Sequence, residues 1–151
     1  MNLEEKIMAD LKKAMREKDP VKRNALRAVK SAILLAKTEK GKSHDLTPED
    51  ELKILQKLVK QRNESAAIYR EQNRMDLYEK ENAEAALIGK FLPPQLSTEE
   101  LRAGLQRIIQ ETGATTIKDM GKVMGIATKK YAGKADGNTI STIVREILIR
   151  Q

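Results

Sequence analysis

The chain has no cysteine and no tryptophan, and only one phenylalanine, three tyrosines and one histidine in 151 residues. Without cysteine there is no disulfide, no thiolate nucleophile and no cysteine-ligated metal. A single histidine, His44 beside Asp45, cannot build a multi-histidine zinc site and reads as a solvated imidazole. Aromatics at 3% leave an aliphatic core, which suits helices better than a sandwich or barrel. The scattered rings also make no stacking platform for single-stranded nucleic acid. No run approaches the roughly 18 apolar residues of a membrane span, and no apolar leader opens the chain. A cytoplasmic protein without a membrane association is therefore expected. There is no Gly-x-Ser-x-Gly elbow, no phosphate-binding loop following a strand and no Glu-x-x-His pair. Neither a metal nor any other cofactor is expected.

What the sequence does have is charge. Charged residues make up 34% of it and the formal net charge is +7, a balance compatible with a polyanionic partner. The charge is uneven. Residues 1–42 hold 12 Lys and Arg against 6 Asp and Glu, and residues 43–96 hold 8 against 10. Residues 97–151 hold 9 against 6. A single continuous basic surface would require the two ends to lie close together.

Apolar spacing divides the chain into helices, with no strand alternation. The first helix covers residues 2–18, with Leu3, Ile7, Leu11, Ala14 and Met15 inward. Asp19-Pro20 ends it and opens the second, which runs to about Thr38. Ala25, Leu26, Val29, Ile33 and Leu34 face inward there, opposite a basic face of Lys22, Arg23, Arg27 and Lys30. Residues 39–47 read as a loop. Thr47-Pro48-Glu49-Asp50 starts the third helix, which reaches about Asn73 with Leu55, Ala66 and Ile68 among its inward residues. The fourth spans about 76–91, and its Glu79, Glu81 and Glu84 read as a solvated face. Two prolines in Phe91-Leu92-Pro93-Pro94-Gln95-Leu96-Ser97 stop it and stiffen a connector. Ser97 and Glu100 form a capping box for the fifth helix, which Gly113 ends. Thr116, with Asp119 at the third position, caps a sixth that runs to about Tyr131. Asp136-Gly137-Asn138 turns the chain into a seventh. The expected protein is all-α. An N-terminal long-helix domain (1–92) is joined by a Pro-Pro connector (93–97) to a C-terminal three-helix bundle (98–151).

The stretch from Thr116 to Arg145 concentrates glycine and lysine. Gly121, Gly125, Gly133 and Gly137 interleave with Lys118, Lys122, Lys129, Lys130 and Lys134. Gly121 and Gly125 share a helix face and bare a strip of backbone. In one reading the glycines let a neighbouring helix pack closely and the lysines are merely solvated. In the other, the lysines and the amides near Asp136–Thr139 meet RNA phosphates. The residues alone favour helix packing for the glycines. Sequence-specific DNA binding is not expected, because the connector from Tyr131 to Asn138 is long for a helix-turn-helix. The last helix also offers little beyond Arg145 and Arg150 to read bases.

Four stretches resemble the GatB/YqeY tail-domain family, and closely its stand-alone YqeY-type members. They are Leu26-Arg27-x-x-Lys30-Ser31-Ala32-Ile33, the Phe91–Ser97 connector, Asp119-Met120-Gly121-Lys122-Val123-Met124-Gly125, and Gly133-x-x-Asp136-Gly137 with Ile143-Val144. The resemblance covers nearly the whole chain and implies two helical parts. In larger relatives this module is the tRNA-contacting tail of the B subunit of the amidotransferase acting on Glu-tRNA(Gln) and Asp-tRNA(Asn). Glutamine is the nitrogen donor there, a carbon–nitrogen ligase activity housed in a separate cradle domain. This chain has no room for that domain, so the resemblance implies a helper that interacts with tRNA or another structured RNA, not a complete ligase. The implied contacts are Lys118, Lys122, Lys129, Lys130, Lys134, Asn138 and Arg145, with Gly121, Gly125, Gly133 and Gly137 shaping the surface. Lys22, Arg23, Arg27 and Lys30 form a secondary basic face. The alternative is an adaptor docking on an amidotransferase, a synthetase or another protein through the helical arm and Phe91-Leu92.

Overall fold

The computed structural model of the chain describes residues 2–40 and 45–150. The reading of His44, and part of the expected loop, lie outside them. Among the described residues there are seven α-helices and no strand: α1 Leu3–Glu17, α2 Pro20–Lys40, α3 Pro48–Glu71, α4 Met75–Gly89, α5 Thr98–Thr112, α6 Met120–Lys130 and α7 Gly137–Arg150. A 3-10 turn, Ile117–Asp119, precedes α6. The chain divides into two compact units, Met1–Leu92 and Pro93–Gln151.

In the first unit, α1 begins where the Asn2 side chain accepts the Glu5 N–H at 2.8 Å. It ends at Lys18, whose left-handed backbone (φ 55°) turns its N–H onto the Ala14 and Met15 carbonyls. Asp19 Oδ1 then accepts the Lys22 N–H at 3.1 Å and starts α2 with Pro20 in its first turn. Thr47 and Asp50 complete a capping box at the head of α3. Asn73, also left-handed (φ 57°), separates α3 from α4. Ile7, Leu11 and Ala14 of α1 pack on Ala25, Leu26, Val29 and Ile33 of α2, with Leu55 and Ile88 closing the core. A Lys37–Glu4 ion pair also ties α2 to α1.

Several side chains differ from expectation. Met15, Leu34 and Ile68 continue the apolar stripes of α1, α2 and α3, yet are 54%, 48% and 53% exposed. A stripe of 3.6-residue periodicity is wider than the contact line between two helices, so its edge residues face outward. Conversely, Glu84 is buried where a solvated face was expected, because Arg62 of α3 meets its carboxylate at 3.4 Å.

In the second unit, Ser97 and Glu100 form the expected capping box of α5, and Gly113 (φ 72°) ends it. Leu101, Leu105, Ile108 and Ile109 of α5 pack on Val123 and Ala127 of α6 and on Ile140, Ile143, Val144 and Leu148 of α7. An Arg102–Glu146 pair at 3.0 Å links α5 to α7. Thr116 and Asp119 form the expected capping box, but the turn they cap is the 3-10 turn, and the α-helix proper starts at Met120. The Asp119 carboxylate accepts the N–H groups of both Thr115 and Thr116, at 3.0 and 3.3 Å, and these bonds hold the preceding residues in the tighter 3-10 turn.

Candidate functional site

Burial of Val123 and Ala127 fixes which way α6 faces. With 3.6 residues per turn, its opposite side carries Gly121, Lys122, Gly125 and Lys129, all exposed. Lys118 on the 3-10 turn is exposed as well. Lys130 falls off this strip, since one residue turns the helix by about 100°. Its Nζ lies 5.6 Å from the centroid of the Tyr131 ring.

The close packing expected of Gly121 and Gly125 does not occur. A Cβ added at either meets nothing within 4 Å, and the same is true at Gly137. A glycine that does pack closely is Gly104 of α5, where an added Cβ would lie 1.9 Å from the Tyr131 hydroxyl oxygen. Sequence reading missed it because a lone glycine inside a helix carries no local mark of what crosses it. What α6 presents outward is bare backbone bordered by lysines.

Those lysines have little else to do. Among the described residues, none of Lys118, Lys122, Lys129, Lys130, Lys134 and Arg145 forms an ion pair. Besides Lys130 over its tyrosine ring, Lys122 has a weak second role, its Nζ reaching the carbonyl of Thr112 at the end of α5, at 3.5 Å. The nearby acid is already committed. The Thr115 and Thr116 amides, and secondarily the charge of Lys122, hold the Asp119 carboxyl below the usual carboxylate range.

The turn after α6 is built by the connector. Gly133 adopts φ 75°, and Lys134 donates its N–H to the Tyr131 carbonyl at 2.9 Å. Gln95 Nε2 donates to the Gly133 carbonyl at 2.7 Å, and the Leu96 N–H to the Lys134 carbonyl at 3.0 Å. Three carbonyls that would repel a phosphate are thus occupied from within, while the Lys134 side chain is exposed. The sequence marked Pro93–Ser97 as a stiff spacer, but residues 95 and 96 also brace this turn. Asp136 accepts the Ile140 N–H through its carbonyl at 3.0 Å, and its Oδ2 meets the Thr139 hydroxyl at 3.5 Å. Among the described residues its carboxylate takes no first-turn amide of α7. Asn138 and Arg145, two turns apart, lie on the exposed side of α7.

The secondary basic face lies in the first unit, and it is not a uniform solvated strip. Arg27 is exposed, whereas Lys22, Arg23 and Lys30 are half-buried. Arg27 and Lys30 line a groove between α1 and α2. Among the described residues, no group of three or more His, Asp or Glu could hold a metal ion, and no helix is long and apolar enough to cross a membrane.

A sequence model of the family described as Yqey-like protein matches residues 4–148. The chain is 32% identical over 148 residues to "Altered inheritance of mitochondria protein 41, mitochondrial" of Meyerozyma guilliermondii, covering 92% of this chain and 72% of that protein. It is 33% identical over 110 residues to the protein of the same name from Clavispora lusitaniae, covering 72% of this chain and 63% of the relative. For the Kluyveromyces lactis protein of that name the identity is 32% over 133 residues, covering 87% and 68%.

Proposed function

This chain belongs to the Yqey-like protein family, and on that premise we propose that the outward face of α6 binds the phosphate backbone of a structured RNA, with tRNA the first candidate. The observation that carries this reading is the strip of Lys118, Lys122 and Lys129 around the open Gly121 and Gly125. Among the described residues none of its cations forms an ion pair, Lys122 sharing only a longer-range attraction with Asp119, and no side chain intervenes above the glycines. Unpaired lysines release counterions from a nucleic-acid backbone, and the absence of Cβ atoms lets that backbone come close to the helix. Lys134 on its braced turn, and Asn138 and Arg145 on α7, extend the set. Contacts of this kind position a backbone without reading bases.

In this proposal the protein is an RNA-binding helper of amide-forming or aminoacylating tRNA enzymes and performs no transfer chemistry alone. The cytoplasmic placement belongs to the same proposal. The word "mitochondrial" is in the names of the fungal relatives, and subcellular fractionation decides between the two compartments. Ultraviolet crosslinking of bound tRNA to the intact protein, followed by peptide mapping, tests the surface. Crosslinks within residues 116–138 are expected. Crosslinks confined to other segments, or no complex at low salt, would refute the assignment.

A further inference from the structure

We propose that the groove between α1 and α2 receives an amphipathic helix from a partner protein, one whose apolar stripe is flanked by Asp and Glu. The groove is lined by Met8, Met15 and Leu34 and rimmed by Lys12, Arg27 and Lys30, and no acidic residue lines it. Met15 and Leu34 are 54% and 48% exposed, although both belong to apolar stripes that pack elsewhere along their helices. The three cations form no ion pair among the described residues. The rim charge therefore favours an acidic occupant and works against a basic one.

Shape and chemistry point to a helix. A furrow between two packed helices accepts the ridge of a third. From Met8 to Met15 is about 10 Å along α1, room for two turns of a ligand helix. Unbranched methionines adapt to the side chains they meet. A membrane surface is disfavoured because the apolar side chains line a concave furrow and no aromatic residue joins them. RNA is disfavoured by the apolar floor. This surface lies in the first unit and is separate from the strip proposed to bind RNA.

The test uses the full chain with methyl-labelled methionine and a synthetic acidic helix that repeats leucine at helical spacing. A matched peptide with lysine in place of glutamate, and mixed phosphatidylcholine–phosphatidylserine vesicles, serve as the other probes. The acidic peptide is expected to bind saturably and to shift the Met8 and Met15 methyl signals while leaving Met120 and Met124 in place. Leu34→Asp and, with less structural risk, Lys30→Gln should each weaken binding, Leu34→Asp by about tenfold. Failure of the acidic peptide to bind would overturn the proposal. So would equal binding of the basic peptide, vesicle binding without peptide binding, or methyl shifts elsewhere.

Discussion

Gly104 and Tyr131 show most directly how a single residue sets the packing of the C-terminal unit. Tyr131 is 7% exposed, and its hydroxyl occupies the space a Cβ at Gly104 would need. Gly104→Ala should destabilise the unit by about 1–3 kcal/mol through overpacking. In a Tyr131→Phe background the same substitution should cost less, because the clashing oxygen is gone. Thermal unfolding of the four proteins of this double-mutant cycle gives the coupling directly, and an unchanged cost in the Phe background would show that the contact is not the cause. Asp119 makes a second prediction at this scale. Its carboxyl is held low by the Thr115 and Thr116 amides, so folding favours the ionised form. The resulting stabilisation is present above the unfolded-state carboxylate range and is lost as pH falls through the folded-state value, below the ordinary 3.8. Asp119→Ala should therefore loosen the start of α6 near neutrality and differ little from wild type in strong acid, as amide exchange across residues 115–124 would reveal. Neither feature could be read from the sequence in full. The Asp119 cap was legible as an acid three residues after Thr116, but the 3-10 geometry it enforces was not. Gly104 and the buried Glu84 depend on partners 27 and 22 residues away, Tyr131 and Arg62.

At the scale of elements, local chemistry was the better guide. Helix starts announced by Thr47-Pro48 and Ser97-x-x-Glu100, and ends announced by Asp19-Pro20 and Gly113, fall where side chains and backbone satisfy their own hydrogen bonds. The inward faces were legible down to the stripe centres. Their edges were not, since Met15, Leu34 and Ile68 lie where periodicity stops specifying direction. The same limit hid the role of the α6 glycines. Periodicity put Gly121 and Gly125 on one face but could not say whether that face met a helix or open space. Gly125 lies inside α6 with nothing near its absent side chain. Gly125→Ala should therefore raise stability by up to about 1 kcal/mol, seen as a higher midpoint of thermal unfolding. Gly121, in the first turn, should give less. If the bare strip serves close approach of RNA, Gly125→Ala should also weaken tRNA binding. Stabilisation without loss of binding would leave the lysines, not the glycines, as the determinant.

For the whole molecule, the two compact units and the helical class follow from an aliphatic, strand-free pattern interrupted by Pro93-Pro94. The candidate site was legible as a list of residues but not as an arrangement. Folding gathers Lys118, Lys122 and Lys129 on one strip, turns Lys130 aside, and uses Gln95 and Leu96 to brace the turn bearing Lys134. Charge sums could not show this, because the +7 of the chain counts cations wherever they lie. In the proposed function, Lys118 on the 3-10 turn and Lys129 on α6, neither of them ion-paired, neutralise RNA phosphates. The salt dependence of tRNA affinity, measured for wild type and for Lys118→Gln/Lys129→Gln, tests it most directly. The variant should bind more weakly, with a slope of log affinity against log salt shallower by about 1.4 to 1.8, two contacts' worth. Identical affinity and slope for the two proteins, with both folded, would contradict it.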